Sequence, residues 1–428
     1  MGTRRQGGVA HENPMRHKGA QGDGSIVSQQ AERMKATGAV IARSASDEAI
    51  QGFGGIDRFR VVAAFLIVGI HTSPLLSFNE DIDFLVVRVF ARIAVPFFLM
   101  ATGFFLQSQS LSGEGSAGRI FAGRVPLTGF LKKTGALYAV ATAIFLPVSI
   151  YAGYYSEGNT ALNIFRNVVF DGTFYHLWYL PASILGVLLL YLLGRLFPLR
   201  AVLVISGLLY TAGLLGDSYY GAVSGAPFLN AVYDFGFSIF SYTRNGLFYA
   251  PIFLAMGAKL TDKALHEETA HISDSDFAHT GSSGIAQNQG KKRGNYYASL
   301  NAIGFSVSMA LMMAEGWGLH VFGLQRHDSM YIMLVPCMFF LFRLTLAGKG
   351  NASPFLRSLS MWIYILHPFC LIMVRGAAKV SGLSALLTDN SLVHYIAVCL
   401  LSLVISAAVA GLWQKHRKAA SLPAAALS

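Results

Sequence analysis

Charged side chains are scarce in this chain of 428 residues. They account for 13% of it, whereas soluble globular domains have about 25%. Hydrophobic residues make up 54%, and the mean hydropathy is +0.49. This composition excludes an ordinary soluble domain and indicates a polytopic membrane protein.

Cysteines and familiar ligand-binding motifs are also few. Cys337, Cys370 and Cys399 fall within apolar stretches at scattered depths, where cysteine usually acts as a small buried hydrophobe. They indicate neither a disulfide framework nor a metal site, and we expect no bound metal or cofactor. The sequence contains no Walker motif, dinucleotide-binding fingerprint, heptad pattern or internal repeat. Any chemistry must therefore lie among the apolar helices.

Long apolar windows are what the chain has in abundance. A helix needs roughly 17 to 25 mostly apolar residues to cross a bilayer. We predict an all-α integral membrane fold with about ten transmembrane helices and with both termini in the cytoplasm. The windows centre on residues 61–78, 84–107, 134–151, 174–194, 198–216, 237–258, 297–314, 329–346, 359–375 and 393–413.

Positive charge alternates between the loops that join these windows. Placing the N-terminus in the cytoplasm puts most of the 33 Lys and Arg residues on cytoplasmic segments, as the positive-inside rule requires. The net charge of +11 is then explained by topology and by attraction to anionic lipid, so no nucleic-acid partner is needed. We expect a multi-pass protein of the cell (inner or plasma) membrane.

Polar segments flank and interrupt the membrane part. Residues 1–55 lack apolar periodicity and predict a disordered cytoplasmic arm. Residues 56–415 form the predicted transmembrane domain. Within it, residues 261–295 are polar and rich in Gly and Ser, which predicts a flexible cytoplasmic loop. Residues 416–428 are predicted to be a short cytoplasmic tail.

Ionisable side chains occur inside or beside the predicted spans. A charged side chain near the bilayer centre costs about 2.5–3.5 kcal/mol on insertion scales and usually faces the bundle interior or a watery cavity. With the predicted topology, five such groups share one depth just below the outer surface, which is typical of a water-accessible site. They are Arg88 and Arg92, four residues apart in the second window, Arg244 in the sixth, His176 at the start of the fourth and His71 in the first.

Structural explanations stay open for two of these five residues. His176 lies next to Trp178 and Tyr179, so it also fits an interfacial aromatic belt. Arg88 also fits a side chain that snorkels outward to the interface. The convergence of all five groups at one depth favours a site.

A second basic residue, Arg60, lies on the same predicted helix as His71 and on the same side of it. Arg60 precedes His71 by eleven residues, which is three helical turns plus roughly 20°, so the two side chains point the same way about 16 Å apart. A guanidinium suits phosphate, and an imidazole suits proton transfer near neutral pH. The pair predicts a helix that lines a transbilayer passage, although Arg60 alone fits a topology determinant equally well. Pro74 is predicted to kink or end this helix beside His71.

Two further residues are candidates for the same site. His367 is predicted near the middle of the ninth window, where it either lines the passage or is a core histidine bonded across helices. Glu315, at the outer end of the seventh window, is the acid expected to orient His71 or to balance an arginine.

These residues and their motifs resemble the membrane acyltransferase 3 family. The resemblance rests on Arg60 and His71 with ten residues between them, on "RIAVPFFLMATGFFL" from Arg92, and on "IYILHP" from Ile363 to Pro368. It runs from about Ile56 to Lys415. Within the family, "IHTSPL", "HLWYLPA" and "YTRNGLFYAPIFL" are most similar to the membrane module of the vancomycin-resistance serine racemases. One departure is Thr102, which keeps a hydroxyl near the place where the family usually has Ser before Gly.

The resemblance implies a ten-helix transferase, an acyltransferase for groups other than aminoacyl groups. It would move an acyl group, usually acetyl from acetyl-CoA, to a hydroxyl or amine of an envelope glycan or a small molecule at the outer face. His71 would be the general base, Arg60 would hold the donor phosphates, and Arg92 and Arg244, with Arg88 and His176 nearby, would bind the acceptor or the developing oxyanion.

Two other function classes stay open. The racemase relatives join this module to a soluble pyridoxal-phosphate domain, and there the resemblance implies serine uptake. The sequence given ends at "QKHRKAASLPAAALS", so we expect no racemase domain, but a carrier for serine or a similar amino acid remains an alternative, with Arg244 or Arg92 gripping the carboxylate. A structural membrane partner would leave the arginine cluster unexplained.

Overall fold

The computed structural model describes residues 53–111, 120–121, 124–153, 161–261, 264, 284–348 and 350–421. The predicted N-terminal arm lies outside this described part up to residue 52, as does most of the predicted loop after residue 261. All regular secondary structure in the described residues is helical, and these residues contain no β-strand. The all-α prediction is therefore confirmed.

Eleven helices longer than two turns make up the described part. They are α1 (Gly54–Thr72), α2 (residues 80–111), α3 (Arg124–Tyr151), α4 (Tyr179–Leu196), α5 (Leu199–Leu215), α6 (Pro227–Ile239), α7 (Ala250–Thr261), α8 (Gly284–Val321), α9 (Leu334–Ala347), α10 (Pro354–Ser381) and α11 (Ser391–Ser421). Shorter helical segments lie at Ala161–Arg166, Asn167–Asp171, Tyr220–Val223 and Ser384–Leu387.

The helices have the length and composition of membrane spans. Among the described residues, six segments in α2, α3, α4, α8, α10 and α11 are long and apolar enough to cross a bilayer, and α5, α7 and α9 are shorter apolar helices. Helix α1 is 19 residues long and begins with a charged turn. The chain is a multi-pass membrane protein. The number of ten spans and the cytoplasmic placement of the termini stay predictions.

The long helices divide into an interior and a periphery. The most apolar windows of α2 and α10 are 61% and 56% buried within the protein, whereas those of α3, α8 and α11 are 17%, 17% and 22% buried. Helix α10 packs against α1 and α11, and α1 packs against α2. Helices α1, α2 and α10 carry His71, Arg92 and His367, so these three candidate residues lie on helices that pack against one another.

The prediction of one continuous helix over residues 237–258 is wrong. Residues 240–249 within it are not helical, and they separate α6 from α7. Thr243 and Asn245 stabilise this break, because the Thr243 hydroxyl donates to the Gly213 carbonyl at 2.8 Å and the Asn245 side-chain oxygen accepts from Leu247 N–H at 2.9 Å. Arg244 is therefore on an irregular segment and not near the start of a helix.

Several predicted boundaries also differ. Helix α4 begins at Tyr179, so His176 lies in the turn before it. Helix α8 begins at Gly284, inside the predicted loop 261–295, and α11 continues to Ser421, inside the predicted tail 416–428. Helix α9 begins at Leu334, five residues later than its window. Helices can extend beyond the apolar window that a bilayer requires, so hydropathy places their middles better than their ends.

Helix α1 ends before Pro74. Its last residue is Thr72, and Ser73 follows in the left-handed region with φ 48°. The proline thus lies beyond the helix end and introduces no kink in it.

The two ends of the bundle are named after residues of α1. We call the end near the last turn of α1 the His71 end, and the opposite end the Arg60 end.

Candidate active site

Three histidines from three different segments meet at the His71 end. The rings of His71 and His367 are stacked with their centroids 5.2 Å apart, and the His176 ring meets His367 edge-on at 5.3 Å. Tyr175 packs edge-on against His71 at 4.9 Å. His367 and His176 are buried, whereas His71 is partly exposed. A ligand at this cluster would therefore meet His71 first.

The hydrogen bonds of His367 define its tautomer. Its Nδ1 lies 2.8 Å from the Tyr364 carbonyl and 3.2 Å from the Ile363 carbonyl. Both partners can only accept, so Nδ1 carries the proton and Nε2 of the neutral ring keeps a lone pair. That Nε2 is buried and has no partner among the described residues. His367 bonds within its own helix, so the prediction of a bond across helices is wrong, while its place beside His71 agrees with the passage interpretation.

The His176 ring packs among aromatic side chains. Phe145 and Phe174 approach its ring edge-on at 4.9 Å and 5.6 Å, and the Tyr364 hydroxyl donates to its backbone carbonyl. Burial, together with His367 and His71, lowers the pKa of His176 well below its ordinary value. The ring is therefore uncharged at neutral pH. It faces the protein interior and is not part of an exposed interfacial belt.

Arg88 and Arg92 share one acid. Asp328, in the loop between α8 and α9, forms an ion pair with Arg88 at 3.0 Å and a second, shorter one with Arg92. Burial raises the pKa of Asp328, but Arg92 and Arg88 outweigh it, so the pKa lies below its ordinary value and the carboxylate is ionised. The Arg92 side chain is 10% exposed and that of Arg88 is 51% exposed. Arg88 is paired, and it does not simply snorkel.

Arg244 lies on aromatic rings beside this pair. Its guanidinium carbon is 4.3 Å from the Tyr242 ring centroid and 5.3 Å from that of Trp178, within the range of cation–π attraction. One terminal nitrogen donates to the Ser329 hydroxyl at 3.3 Å. The charges of Arg244, Arg92 and Arg88 all act on the His71 imidazole. The five residues predicted at one depth therefore lie near one another.

Glu315 does not belong to this group, so its predicted role is wrong. Its carboxylate accepts from the Tyr219 hydroxyl at 2.9 Å and from the backbone N–H groups of Ile332 and Met333 at 2.6 Å and 2.9 Å. These bonds satisfy N–H groups at the start of α9. The acid that balances the arginines is Asp328, which sequence reasoning missed because it lies in a loop outside every apolar window.

Arg60 lies in a basic cluster at the Arg60 end. Buried Asp57 bonds to Arg60 at 3.3 Å and to Arg357 at 3.2 Å, and it also accepts from the Ser353 N–H at 2.8 Å. The two guanidinium carbons lie 5.2 Å and 5.7 Å from the Phe105 ring centroid. Two cations share one carboxylate, so the cluster keeps a positive charge. Arg357 was not identified from the sequence, because its partner Asp57 is 300 residues away in the chain and no local pattern links the two.

Polar side chains continue between the two ends. The Thr102 hydroxyl donates to the Phe98 carbonyl at 2.9 Å and lies 3.4 Å from the Tyr179 hydroxyl. The Tyr179 ring meets the Tyr364 ring edge-on at 5.6 Å, and Tyr179 is near enough for electrostatic interaction with Arg60. Thr102 therefore lies between the Arg60 cluster and the histidines, and two tyrosines complete the connection.

The site offers acid–base and cationic groups. Among the described residues no group of three or more His, Cys, Asp or Glu side chains is placed to hold a metal ion. What the site can do chemically is accept a proton at a partly exposed imidazole and bind anions at guanidinium groups.

One protein family matches most of the chain. The acyltransferase 3 model, described as an acyltransferase domain, matches residues 53–411. The chain belongs to the acyltransferase 3 family. The match contains every residue named above for the site, and the resemblance inferred from the sequence motifs is confirmed. No solved structure matches the chain.

Curated relatives of this acyltransferase 3 protein carry racemase names. An amino-acid racemase of Enterococcus faecalis is 39% identical over 365 residues, which is 85% of this chain and 45% of the relative. A serine/alanine racemase of Enterococcus gallinarum is 31% identical over 350 residues, 82% of this chain and 45% of the relative. The chain spans about half the length of the curated relatives it matches.

Proposed function

We propose that the protein is a cell-membrane acyltransferase. It takes an acyl group, with acetyl as the expected one, from acyl-CoA at the cytoplasmic face and transfers it to a hydroxyl or amine of an acceptor at the outer face. The observation that carries the proposal is the pair of sites on α1. A basic cluster at Arg60 and a histidine cluster at His71 are joined by Thr102, Tyr179 and Tyr364 within a family of acyltransferases.

The donor would enter at the Arg60 end. Arg60 and Arg357 share the single charge of Asp57, so positive charge remains for the donor phosphates, and a guanidinium fork matches phosphate oxygens. The distance from Arg60 to His71 is about 16 Å along the helix. The thin pantetheine arm would follow the polar side chains between them and bring the thioester to the histidines.

Transfer would occur at His71. The imidazole removes the proton from the acceptor hydroxyl or amine as the acceptor attacks the thioester carbonyl. The tetrahedral intermediate collapses, its carbon–sulfur bond breaks, and the thiolate of CoA takes the proton back from the imidazolium. The cationic field of Arg92 and Arg244 favours the developing oxyanion. Stacking on His367, whose own orientation is fixed by two backbone carbonyls, holds the His71 ring in place.

Acetyl-CoA binding and slow hydrolysis by protein in nanodiscs test the proposal. We expect His71→Ala to lose hydrolysis by about 100-fold or more, the usual contribution of a general base, while binding stays near wild type. Arg60→Ala is expected to weaken binding about tenfold, the loss of one charge-assisted contact. Arg60→Lys can keep the ion pair with Asp57, so a loss of acetyl-CoA binding in this variant is not explained by misfolding. His320→Ala, an exposed histidine stacked on Phe84, is the control. A well-folded wild type that does not bind acetyl-CoA would contradict the proposal.

A carrier for serine or a similar amino acid is the second candidate. The names of the relatives favour it, since they act on amino acids by name, and Arg244 is suited to a carboxylate. Uptake of labelled serine into proteoliposomes by a protein that does not bind acetyl-CoA would favour this candidate over the transferase.

A further inference from the structure

The three arginines at the His71 end, Arg88, Arg92 and Arg244, differ in whether an acid pairs with them. Arg88 and Arg92 are both paired with Asp328. Arg244 forms no ion pair with any acid in the part of the chain that the structure describes. Asp217 and Asp328 act on it electrostatically, but neither lies within ion-pair distance. Of Arg88, Arg92 and Arg244, Arg244 is thus the one whose nitrogens are not taken by a carboxylate; exposed Arg326 nearby stacks on Phe237.

The Arg244 guanidinium is nevertheless held in place. Its neighbours Thr243 and Asn245 are buried and bonded to the backbone, so the segment that carries it is rigid. Tyr242 and Trp178 lie against its faces. A long basic side chain loses considerable rotamer entropy when it is ordered. Here that cost is met by the aromatic contacts before any ligand binds, which is the arrangement expected of a preorganised site.

Part of the hydrogen-bonding capacity of Arg244 is unused. Its Nε is buried and has no hydrogen-bond partner among the described residues, while one terminal nitrogen donates to Ser329. Nearby Asp217 does not supply the missing acceptor, because its Oδ1 accepts from the Ser329 and Met330 N–H groups at 2.7 Å and 3.1 Å and its Oδ2 is without a partner. A buried donor left unpaired is costly, so this nitrogen is a place for a ligand oxygen.

Charge also limits what that ligand is. Burial, with Arg244 and Arg326, lowers the pKa of neighbouring His327 to about 4, so His327 adds no charge at neutral pH. Arg88 and Arg92 share the single charge of Asp328, so the three arginines together keep a positive charge that favours an anion, and Arg244 is the one of the three that pairs with no carboxylate of the described residues. One free guanidinium fork matches the two oxygens of a planar carboxylate.

We infer that Arg244 binds a carboxylate of the acceptor, so that the acceptor is a small carboxylate-bearing molecule and not a neutral glycan. The inference rests on the proposed function and names its acceptor class. Trp178, under Arg244, is two residues from His176, which packs on His367. A carboxylate held at Arg244 therefore directs the rest of a small acceptor toward the histidine cluster, where its hydroxyl or amine meets His71.

Thermal stabilisation of the full chain in nanodiscs by L-lactate and L-serine tests the inference, with lactamide and serinamide as partners that lack the carboxylate. We expect the two carboxylates to bind wild type at least about tenfold more tightly than their amides, and Arg244→Gln to abolish that difference. Arg244→Lys keeps the charge but not the fork, and is expected to fall between. Arg326→Gln removes a cation of the loop between α8 and α9, whose guanidinium stacks on Phe237, and should keep the wild-type preference.

The outcomes separate this inference from the proposed function. Acetyl-CoA hydrolysis is measured on the same samples. Hydrolysis by a wild type that binds acids and amides equally would overturn the carboxylate site alone, as would a carboxylate preference that survives in Arg244→Gln. A carboxylate preference that depends on Arg244 in a protein that never binds acetyl-CoA would support the site and overturn the transferase. If Arg244→Gln fails to fold, the acid and amide pairs on wild type and Arg244→Lys decide.

Discussion

Asp328 is the residue on which the electrostatics of the candidate site depend. One carboxylate pairs with two arginines, and thereby leaves Arg244 as the free cation. Arg92 also donates to the Arg88 carbonyl at 3.4 Å, so the two arginines are positioned relative to each other. Asp328 thus pairs with Arg88 and Arg92, while Arg244 has no carboxylate partner among the described residues.

Asp328→Asn should therefore both destabilise the protein and change its ligand preference. The Asp328 and Arg92 side chains are 18% and 10% exposed, so we expect a loss of about 1–4 kcal/mol, between the value of an exposed ion pair and that of a broken buried pair. Freed Arg92 is expected to strengthen binding of dianions such as inorganic phosphate. Thermal unfolding in detergent and phosphate titration measure the two effects.

Asp81→Asn is the matched control for that substitution. Asp81 is an exposed acid on the first turn of α2, so it changes the net charge equally and should be neutral for both properties. Equal unfolding temperatures for Asp328→Asn and Asp81→Asn would show that the Asp328 ion pairs contribute nothing to stability.

At the scale of elements, α2 is irregular where it carries its arginines. Phe84–Val89 is a π-helix and Phe90–Ile93 is a 3-10 helix, before regular α-helix resumes at Ala94. The Tyr331 hydroxyl donates to the Arg88 carbonyl at 2.9 Å within this stretch. Such irregular turns often occur at functional sites, and here they set the directions in which Arg88 and Arg92 leave the helix.

Further along, α2 lies in direct backbone contact with α7. A Cβ added to Gly103 would collide with the Leu254 carbonyl, and one added to Gly257 would collide with the Met100 carbonyl. The contact is reciprocal, with one glycine on each helix, as in small-residue packing of membrane helices. It explains why Gly103 follows Thr102 in the motif, since only Gly allows this approach.

Gly103→Ala and Gly257→Ala should each destabilise the bundle. The added methyl group meets backbone that cannot rotate away, so we expect a loss of about 1–3 kcal/mol or more, as in other overpacked interiors. Gly129→Ala in α3 is the control, because a Cβ there meets nothing within 4 Å and alanine favours the helix by up to about 1 kcal/mol. Unfolding temperatures in one detergent compare the three, and a Gly103→Ala protein as stable as Gly129→Ala would disprove the close contact.

At the scale of the whole molecule, the two ends of the bundle differ in chemistry. The Arg60 end holds a positive cluster around Asp57, and the His71 end holds the histidines with the paired and unpaired arginines. The proposed reaction needs the first end to face acyl-CoA in the cytoplasm and the second to face outward. Orientation in the membrane is therefore a direct requirement of the function.

Thiol labelling of intact cells tests that orientation. Glu80 and Asn351 are exposed at the His71 end and the Arg60 end, respectively. We expect an impermeant maleimide to label Glu80→Cys on intact cells and Asn351→Cys only after permeabilisation, because basic segments stay in the cytoplasm. Native Cys337 and Cys370 are buried and Cys399 is partly exposed, so labelling of wild type measures the background that is subtracted. The reverse labelling pattern would invert the proposed direction of transfer.

The sequence by itself determined the class of the protein and the candidate residues for its chemistry. Bilayer crossing depends on local length and apolarity, so composition alone predicted the membrane fold. The cost of charge among apolar residues was enough to single out Arg88, Arg92 and Arg244, and helical spacing was enough to relate Arg60 to His71.

Only the tertiary structure decided which of these groups are paired and which are free. Asp328 and Arg88 are 240 residues apart in the chain, and no local pattern links them. The same is true of Glu315, whose oxygens are taken by Tyr219 and the start of α9, and of the break at residues 240–249 that releases Arg244 from a helix. Hydrogen bonds and ion pairs act through space over a few ångströms, so the partner of a buried charge is set by packing and not by its neighbours in sequence.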